Sequence, residues 1–327
     1  MLQYPHSVSE ALDKAYSLMD EGDVKRSVQY FYLCRKLMIS LLPQNVLERD
    51  INIFSSSLFE HSRRHREDLL QHATPNAGSV LYVLSDSLAL PRLEDLPTTE
   101  KNWYLTSYPG RMLYKLNQER QWTGGGKLNL YAKRHATSED IVNFLLNDIN
   151  EIEENPHFFI HIGLNDSTVR TFMLAEMRAA MLLPKDINKK IVEFANKYRS
   201  IITIDSPNYT YVPIDKFAYN LTTIAAIAKK FKCASLTYCT KIDVPEDYKA
   251  RYPAQARQTS RYNTVINEIA HMSGANVIDI DRLVIANGGY HKHVDMSGHL
   301  SKEGQILLTN AYFEILSRYN KGSRPSA

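Results

Sequence analysis

Residues 79–92 read SVLYVLSDSLALPR. From Val80 to Leu84 the run is apolar, it breaks on Ser85-Asp86-Ser87, and it turns apolar again at once. An apolar run without polar alternation, bounded by turn residues, predicts a strand inside a sheet covered on both faces. Its end presents two hydroxyls and a carboxylate. In open α/β sheets, sites gather at the carboxyl ends of strands, so this break is where chemistry is expected.

Working outward, KLNLYA (127–132), HFFIHIG (157–163), SIITID (200–205), CASLTYC (233–239) and NVIDI (276–280) read as further strands. Helical spacing of apolar residues appears near 139–153, 185–199, 214–231, 257–272 and 302–318. Strands alternating with helices imply a parallel, doubly wound sheet. The fold class expected is α/β, a flavodoxin-like three-layer α/β/α domain. Ahead of it, residues 8–72 carry helical spacing throughout, with Gly22 suited to end one helix, Asp23 to cap the next and Pro43 to stop it. The layout resembles a tetratricopeptide-type helical hairpin, but one unit makes no stack. It reads as a cap or partner-binding module. HATPNAG (72–78) is the natural boundary, which divides the chain into a helical module, 1–75, and an α/β domain, 76–327. The charge run HSRRHRED (61–68) reads as a solvated helix face.

Of the 327 residues, 44% are hydrophobic and 23% charged, so a core of ordinary size can be buried. A net charge of +3 is too small and dispersed for nucleic-acid binding. No stretch approaches the ~20 apolar residues of a membrane span. The first residues, MLQYPHSVSEALDKA, show no basic segment followed by an apolar one. The three cysteines, Cys34, Cys233 and Cys239, form neither an even framework nor a CxxC pair. They read as small buried hydrophobes in a reducing, cytoplasmic setting.

Serine hydrolysis needs a hydroxyl, a histidine base with an orienting group, and donors aimed at the developing oxyanion. Candidates stand at predicted strand ends or before the last helix. Ser87 offers the hydroxyl. Asn165, in HIGLNDS, offers a donor, with Gly163 permitting close approach of the backbone. His299, in VDMSGHLSKEGQILL, offers a base whose ordinary pKa suits proton shuttling, and Ser301 is suited to cap the helix that follows.

This set resembles the SGNH (GDSL-type) hydrolase family over roughly residues 78–320. The family's first block, Gly-Asp-Ser-Leu, is matched by Ser85-Asp86-Ser87-Leu88. Its third block, Gly-x-Asn-Asp, is matched in full by Gly163-Leu164-Asn165-Asp166. Its last block places Asp and His on one loop, as Asp295 and His299 are placed here. The resemblance implies Ser87 as nucleophile, His299 as base and Asp295 as its orienter. It implies an oxyanion hole made by Asn165, the Ser87 amide and a backbone amide at or near His135. Asp86, Gly163 and Asp166 would support these groups. Three departures stand out. Ser85 replaces a glycine, Arg134-His135-Ala136 stand where the second block has glycine, and Asp295 and His299 are four residues apart rather than three.

A rival pattern, His291-x-His293-x-Asp295 with His299 nearby, has metal-ligand spacing. It resembles the His-x-His-x-Asp-His run of metallo-hydrolases, except that Met296 stands where the last histidine is needed. TGGGK (123–127) lacks the complete phosphate-loop pattern because Leu128 follows the lysine. DSPNYTYVPIDKF (205–217) either lines a substrate groove or forms a tyrosine-rich core edge; with 20 tyrosines in the chain, such clusters are ordinary.

The expectation is therefore an ester hydrolase or O-acyl transferase working through an acyl-enzyme, without metal or cofactor. Its substrate would be an acylated small molecule or glycan intermediate. DSLALPR and GLNDSTVR are similar to stretches of bacterial SGNH proteins associated with surface-polysaccharide synthesis. The N-terminal helices would dock a protein partner. The alternative is a catalytically degenerate SGNH-fold binding module in a biosynthetic complex.

Overall fold

A computed structural model of the chain describes residues 7–41, 65–74, 79–91, 103–118, 126–204, 210–243, 249, 253–295 and 298–321. Pro43, residues 61–64 of the charge run, 75–78 of the boundary, 123–125 of TGGGK, 205–209 and Met296 lie outside the described residues.

Among the described residues, five strands form one sheet: β1 Ser79–Ser85, β2 Gly126–Ala132, β3 His157–His161, β4 Ser235–Cys239 and β5 Asn276–Ile278. Every pairing is parallel, and the order is β2-β1-β3-β4-β5. This is the doubly wound order of flavodoxin-like folds, whose winding reverses between β1 and β3. The strands form where the sequence runs apolar because both faces are covered. Leu81 and Val83 lie with Leu128, Leu130 and Phe159 against Met112, Leu113, Tyr312 and Leu316. The last four come from helices Tyr108–Gln118 and Lys302–Lys321. On the opposite face, Tyr82 stacks on Tyr131 and Phe158. Helices Ser138–Asn147 and Ile214–Lys230 cover that side: Tyr131 packs on Phe144, and the Tyr238 hydroxyl donates to the Leu221 carbonyl at 3.1 Å.

One expected strand is a helix. Residues Arg199–Ile204 are helical, with the Ile202 N–H donating to the Tyr198 carbonyl at 3.0 Å. A short β-branched run has the same periodicity whether strand or helix. Here Ile202 packs with Phe194 and Ile191 in a helical core rather than joining the sheet.

The chain divides into two compact units. One, residues 57–168, 212–245 and 257–327, contains the sheet. The other consists of residues 1–56, 169–211 and 246–256, so it adds chain from between β3 and β4 and from between β4 and β5 to the N-terminal hairpin. In that hairpin, helices Val8–Asp20 and Val24–Ser40 meet at Gly22, whose φ of +82° suits glycine. Asp23 caps the second helix by accepting the Arg26 N–H at 3.2 Å. Leu12, Phe31 and Met38 bury against Ala179, Ile191 and Phe194. Arg35, buried in the same unit, donates its Nε to Glu176 Oε2 at 2.8 Å.

Candidate active site

The end of β1 is fastened before the chain turns. The Ser85 hydroxyl donates to the His161 carbonyl of β3 at 2.6 Å and accepts from the Tyr108 hydroxyl at 3.0 Å. Asp86 then caps a single 3-10 turn, Ser87–Ala89, by accepting the Leu88 N–H on Oδ1 at 2.9 Å. From Val80 to Pro91, Ser87 alone is not buried. The serine-aspartate-serine break therefore has a division of labour. Ser85 ties strands, Asp86 builds the turn, and Ser87 is left facing outward from a buried segment.

The loop after β2 turns at His135, whose φ of +59° lies in the left-handed region that favours glycine. His135 occupies the stretch where the resemblance expects glycine, and its side chain is exposed. The next residue, Ala136, is buried, and its carbonyl accepts from Asn165 Nδ2 at 3.0 Å.

After β3 the chain passes Gly163 at φ +121°, where a β-carbon would lie 3.2 Å from the Phe217 ring. The short helical turn Leu164–Ser167 follows. Asn165 is buried, and its Nδ2 also approaches Asp86 Oδ2 at 3.4 Å. Asp166 Oδ1 accepts both the N–H and the O–H of Ser138, at 2.9 and 2.5 Å. Asn220 in turn donates to the Ser138 hydroxyl at 2.8 Å. The loops after β1, β2 and β3 are thus joined through buried polar side chains.

The fourth segment brings in the histidine. Val294 and Leu300 form an antiparallel bridge. Inside it the Asp295 N–H donates to the His299 carbonyl at 2.8 Å, and the His299 N–H donates to Asp295 Oδ1 at 3.1 Å. Gly298, at φ +78°, donates its N–H to the Asp295 carbonyl at 3.1 Å. The four-residue separation therefore closes as a narrow loop with Asp295 bonded to the backbone of His299. Ser301 accepts the Gly304 N–H at 3.2 Å and caps the last helix. Across 212 residues of sequence, His299 Nε2 lies 3.2 Å from Ser87 Oγ.

Burial shapes the electrostatics below this pair. It pushes the Asp86 carboxyl up to about 7, with Asp166 adding to the rise and the Leu88 N–H and Lys241 opposing it. Asp166 is pushed up to about 6 by burial, against the donors of Ser138. His161 is pulled down to about 3, by burial first and by proximity to His299 second. Lys241 is pulled down to about 7 by burial, against the pull of nearby carboxylates.

His291 is exposed, while His293 is buried with its Nε2 2.9 Å from the Asn287 carbonyl oxygen. Among the described residues no three His, Cys, Asp or Glu side chains are grouped to hold a metal ion. Cys34 and Cys239 are buried thiols, and burial pushes Cys34 up to about 12. No described helix is long and apolar enough to cross a membrane.

Three further residues of the site, Ser138, Asn220 and Lys241, lie outside every motif of the sequence. Ser138 follows Thr137, and Thr137 with Asp140 forms a capping box that places Ser138 in the first turn of its helix. Asn220 is a polar residue on the buried face of an amphipathic helix. Lys241 follows the apolar run of β4 after a single threonine. Each carried a local signal of burial, but not of partner.

No protein-family model and no curated protein matches the chain. Solved structures do. It is similar to LAE5, an alpha/beta hydrolase enzyme from the metagenome of Lake Arreo, Spain: 14% identity, TM-score 0.49, covering 77% of this chain and 100% of that one. A variant of Axe2, an acetyl xylan esterase from Geobacillus stearothermophilus, matches at 15% identity and TM-score 0.47, covering 78% and 100%. A lipase/acylhydrolase from Enterococcus faecalis matches at 14% identity and TM-score 0.47, covering 76% and 99%.

Proposed function

We propose that the protein cleaves esters through a serine acyl-enzyme, with Ser87 as nucleophile and His299 as its base. The observation that carries this is the 3.2 Å approach of Ser87 Oγ to His299 Nε2, at the carboxyl end of β1 where the winding of the sheet reverses. A serine hydroxyl is a weak nucleophile until a base accepts its proton. Ser87 Oγ attacks the ester carbonyl carbon and its proton passes to His299 Nε2. The tetrahedral oxyanion is held by the Ser87 N–H, by a backbone N–H near His135, and by Asn165 Nδ2, which turns one N–H from its long 3.4 Å contact with Asp86 to the oxyanion. Collapse breaks the ester C–O bond, and the departing alkoxide takes the proton from His299. Water, or an acceptor hydroxyl in the transferase variant of the same chemistry, then attacks the acyl-serine and loses its proton to His299; the bond from the acyl carbon to Ser87 Oγ breaks, and Oγ takes that proton back. Asp295 positions His299 through the loop they close together. The motif resemblance favours an acylated small molecule or glycan intermediate as substrate, handled in the cytoplasm.

The test is hydrolysis of p-nitrophenyl acetate by wild type, Ser87→Ala, His299→Ala and Asn165→Ala, with folding checked by circular dichroism. Matched losses of 10³-fold or more are expected for the first two. Asn165→Ala should lose about 10²–10³-fold in kcat, the usual effect of one oxyanion donor. Turnover indifferent to Ser87 and His299 would sink the assignment.

A further inference from the structure

Below the Asn165 turn lies a lysine that the mechanism above does not use. Lys241 is 1% exposed, two residues beyond the end of β4. Its backbone is clamped on both sides by Asn263: the Lys241 N–H donates to Oδ1 at 2.8 Å and its carbonyl accepts from Nδ2 at 2.7 Å. The ammonium donates to the Ser167 hydroxyl. That hydroxyl donates to the Gly163 carbonyl at 2.8 Å. The lysine therefore braces the last residue of the Gly163–Ser167 turn, and through it the first.

The charge has a second use. A lone buried ammonium is costly unless it is paired. Four carboxylates act on this one electrostatically: Asp243 from its own loop, Asp166 from the turn after β3, Asp86 from the end of β1, and Asp281 from helix Ile280–Ala286. Asp281 is already engaged, accepting the Asp243 N–H at 2.7 Å and the Tyr290 hydroxyl at 2.8 Å. Asp279 adds further negative charge beside Asp281. Asp166 keeps its second oxygen, Oδ2, buried without a hydrogen-bond donor. These carboxylates hold the site together. Asp86 accepts from Leu88, which makes the Ser87 turn, and its other oxygen faces Asn165. Asp166 ties the Asn165 turn to Ser138.

We propose that Lys241 is a positioning residue of the ester-cleaving site: it braces the turn that carries Asn165 and supplies the counter-charge that keeps Asp86 and Asp166 as hydrogen-bond acceptors. The inference rests on the ester-cleaving reading of Ser87 and His299. Lys241 touches no reacting atom in this scheme. It acts through the donors and acceptors that aim Asn165 and Ser87.

The experiment compares wild type, Lys241→Met and Lys241→Gln across pH 5–9. Two readouts are used: Ser87-dependent hydrolysis of p-nitrophenyl acetate, and phosphonylation of Ser87 by a fluorophosphonate. In the second, Ser87 Oγ displaces fluoride from phosphorus and its proton goes to His299. Without the cation, Asp86 and Asp166 retain their protons to higher pH. The acidic limb of both profiles should move upward by about one pH unit or more, a deficit of about tenfold at pH 6 that narrows toward pH 9. Lys241→Gln keeps a donor for Ser167 but no charge, so its limb should shift in the same direction. If Lys241→Met does not fold, the double variant Lys241→Met/Asp166→Asn removes a buried charge of each sign and should recover folding. Variants that fold and keep the wild-type rate and profile overturn the role of Lys241 alone. A wild-type protein inert in both readouts overturns the ester-cleaving reading, and the role of Lys241 with it.

Discussion

His135 shows a loop held by the conformation of one backbone residue. It is held at φ +59° with its imidazole exposed, a conformation that costs a residue bearing a β-carbon about 1–2 kcal/mol. The loop needs this bend because the next residue, Ala136, is buried and offers its carbonyl to Asn165. His135→Gly is therefore expected to keep kcat/KM within about twofold while stability holds or rises by up to about 1 kcal/mol, the strain relief being partly offset by glycine's chain entropy. His135→Val should do the opposite, since a β-branched residue is an outlier there. Urea melts and steady-state kinetics on the two variants check this. A tenfold loss in His135→Gly would mean that the imidazole itself acts.

At the scale of an element, the last helix sets the position of the histidine loop. Gly304 lies in its first turn, and a β-carbon there would come within 2.2 Å of the His293 carbonyl oxygen. That carbonyl also accepts the Ser301 N–H at 2.9 Å, so the contact is between a helix and the backbone that begins the His299 loop. Neither side is a flexible side chain that could step aside. Gly304→Ala should cost about 1–3 kcal/mol, as overpacking does. It should also lower kcat by more than tenfold, since a displacement near 1 Å can cost about 10²-fold. Thermal melts and p-nitrophenyl acetate turnover would check both effects. Wild-type kcat in a folded Gly304→Ala protein would show that the loop is held in place by something other than this helix.

At the scale of the molecule, buried ionisable groups give stability a pH dependence of mixed sign. His157, 7% exposed with its Nδ1 2.8 Å from Ser235 Oγ, is pulled down to about 4 by burial. Between about 4 and the ordinary histidine value, the unfolded chain binds a proton there that the native state does not. Its contribution therefore falls as the pH falls through that window. Asp86 and Asp166 run the other way. Burial raises them, so the native state keeps protons that the unfolded chain has lost, and stability falls as pH rises toward 6–7. His157→Gln isolates one term. Its urea-derived stability should fall less steeply on acidification from pH 6.5 to 4.5, by up to about 1.4 kcal/mol per pH unit. Parallel slopes for variant and wild type would show that His157 does not titrate as its burial requires.

Much of this architecture is written locally. Five of the runs bounded by turn residues are the five strands found among the described residues, and the inner ones are apolar because both of their faces are covered. The order of β and α segments carries the parallel sheet and places Ser87, Asn165 and their neighbours after strands. Gly22 and Asp23 announce the hairpin, and Ser301 the start of the last helix, because caps and turns are chosen by residues in contact along the chain. The run at 200–205 was not legible in the same way, since a short β-branched stretch takes its state from what it packs against, here Phe194 and Ile191. The approach of Ser87 to His299, the bond from Asp295 to the His299 backbone, and the burial of Lys241 beneath the Asn165 turn belong to tertiary structure alone. Each joins groups brought together by sheet crossovers or by loop closure, and a distance of that kind is set by how the layers stack rather than by any preference of neighbouring residues.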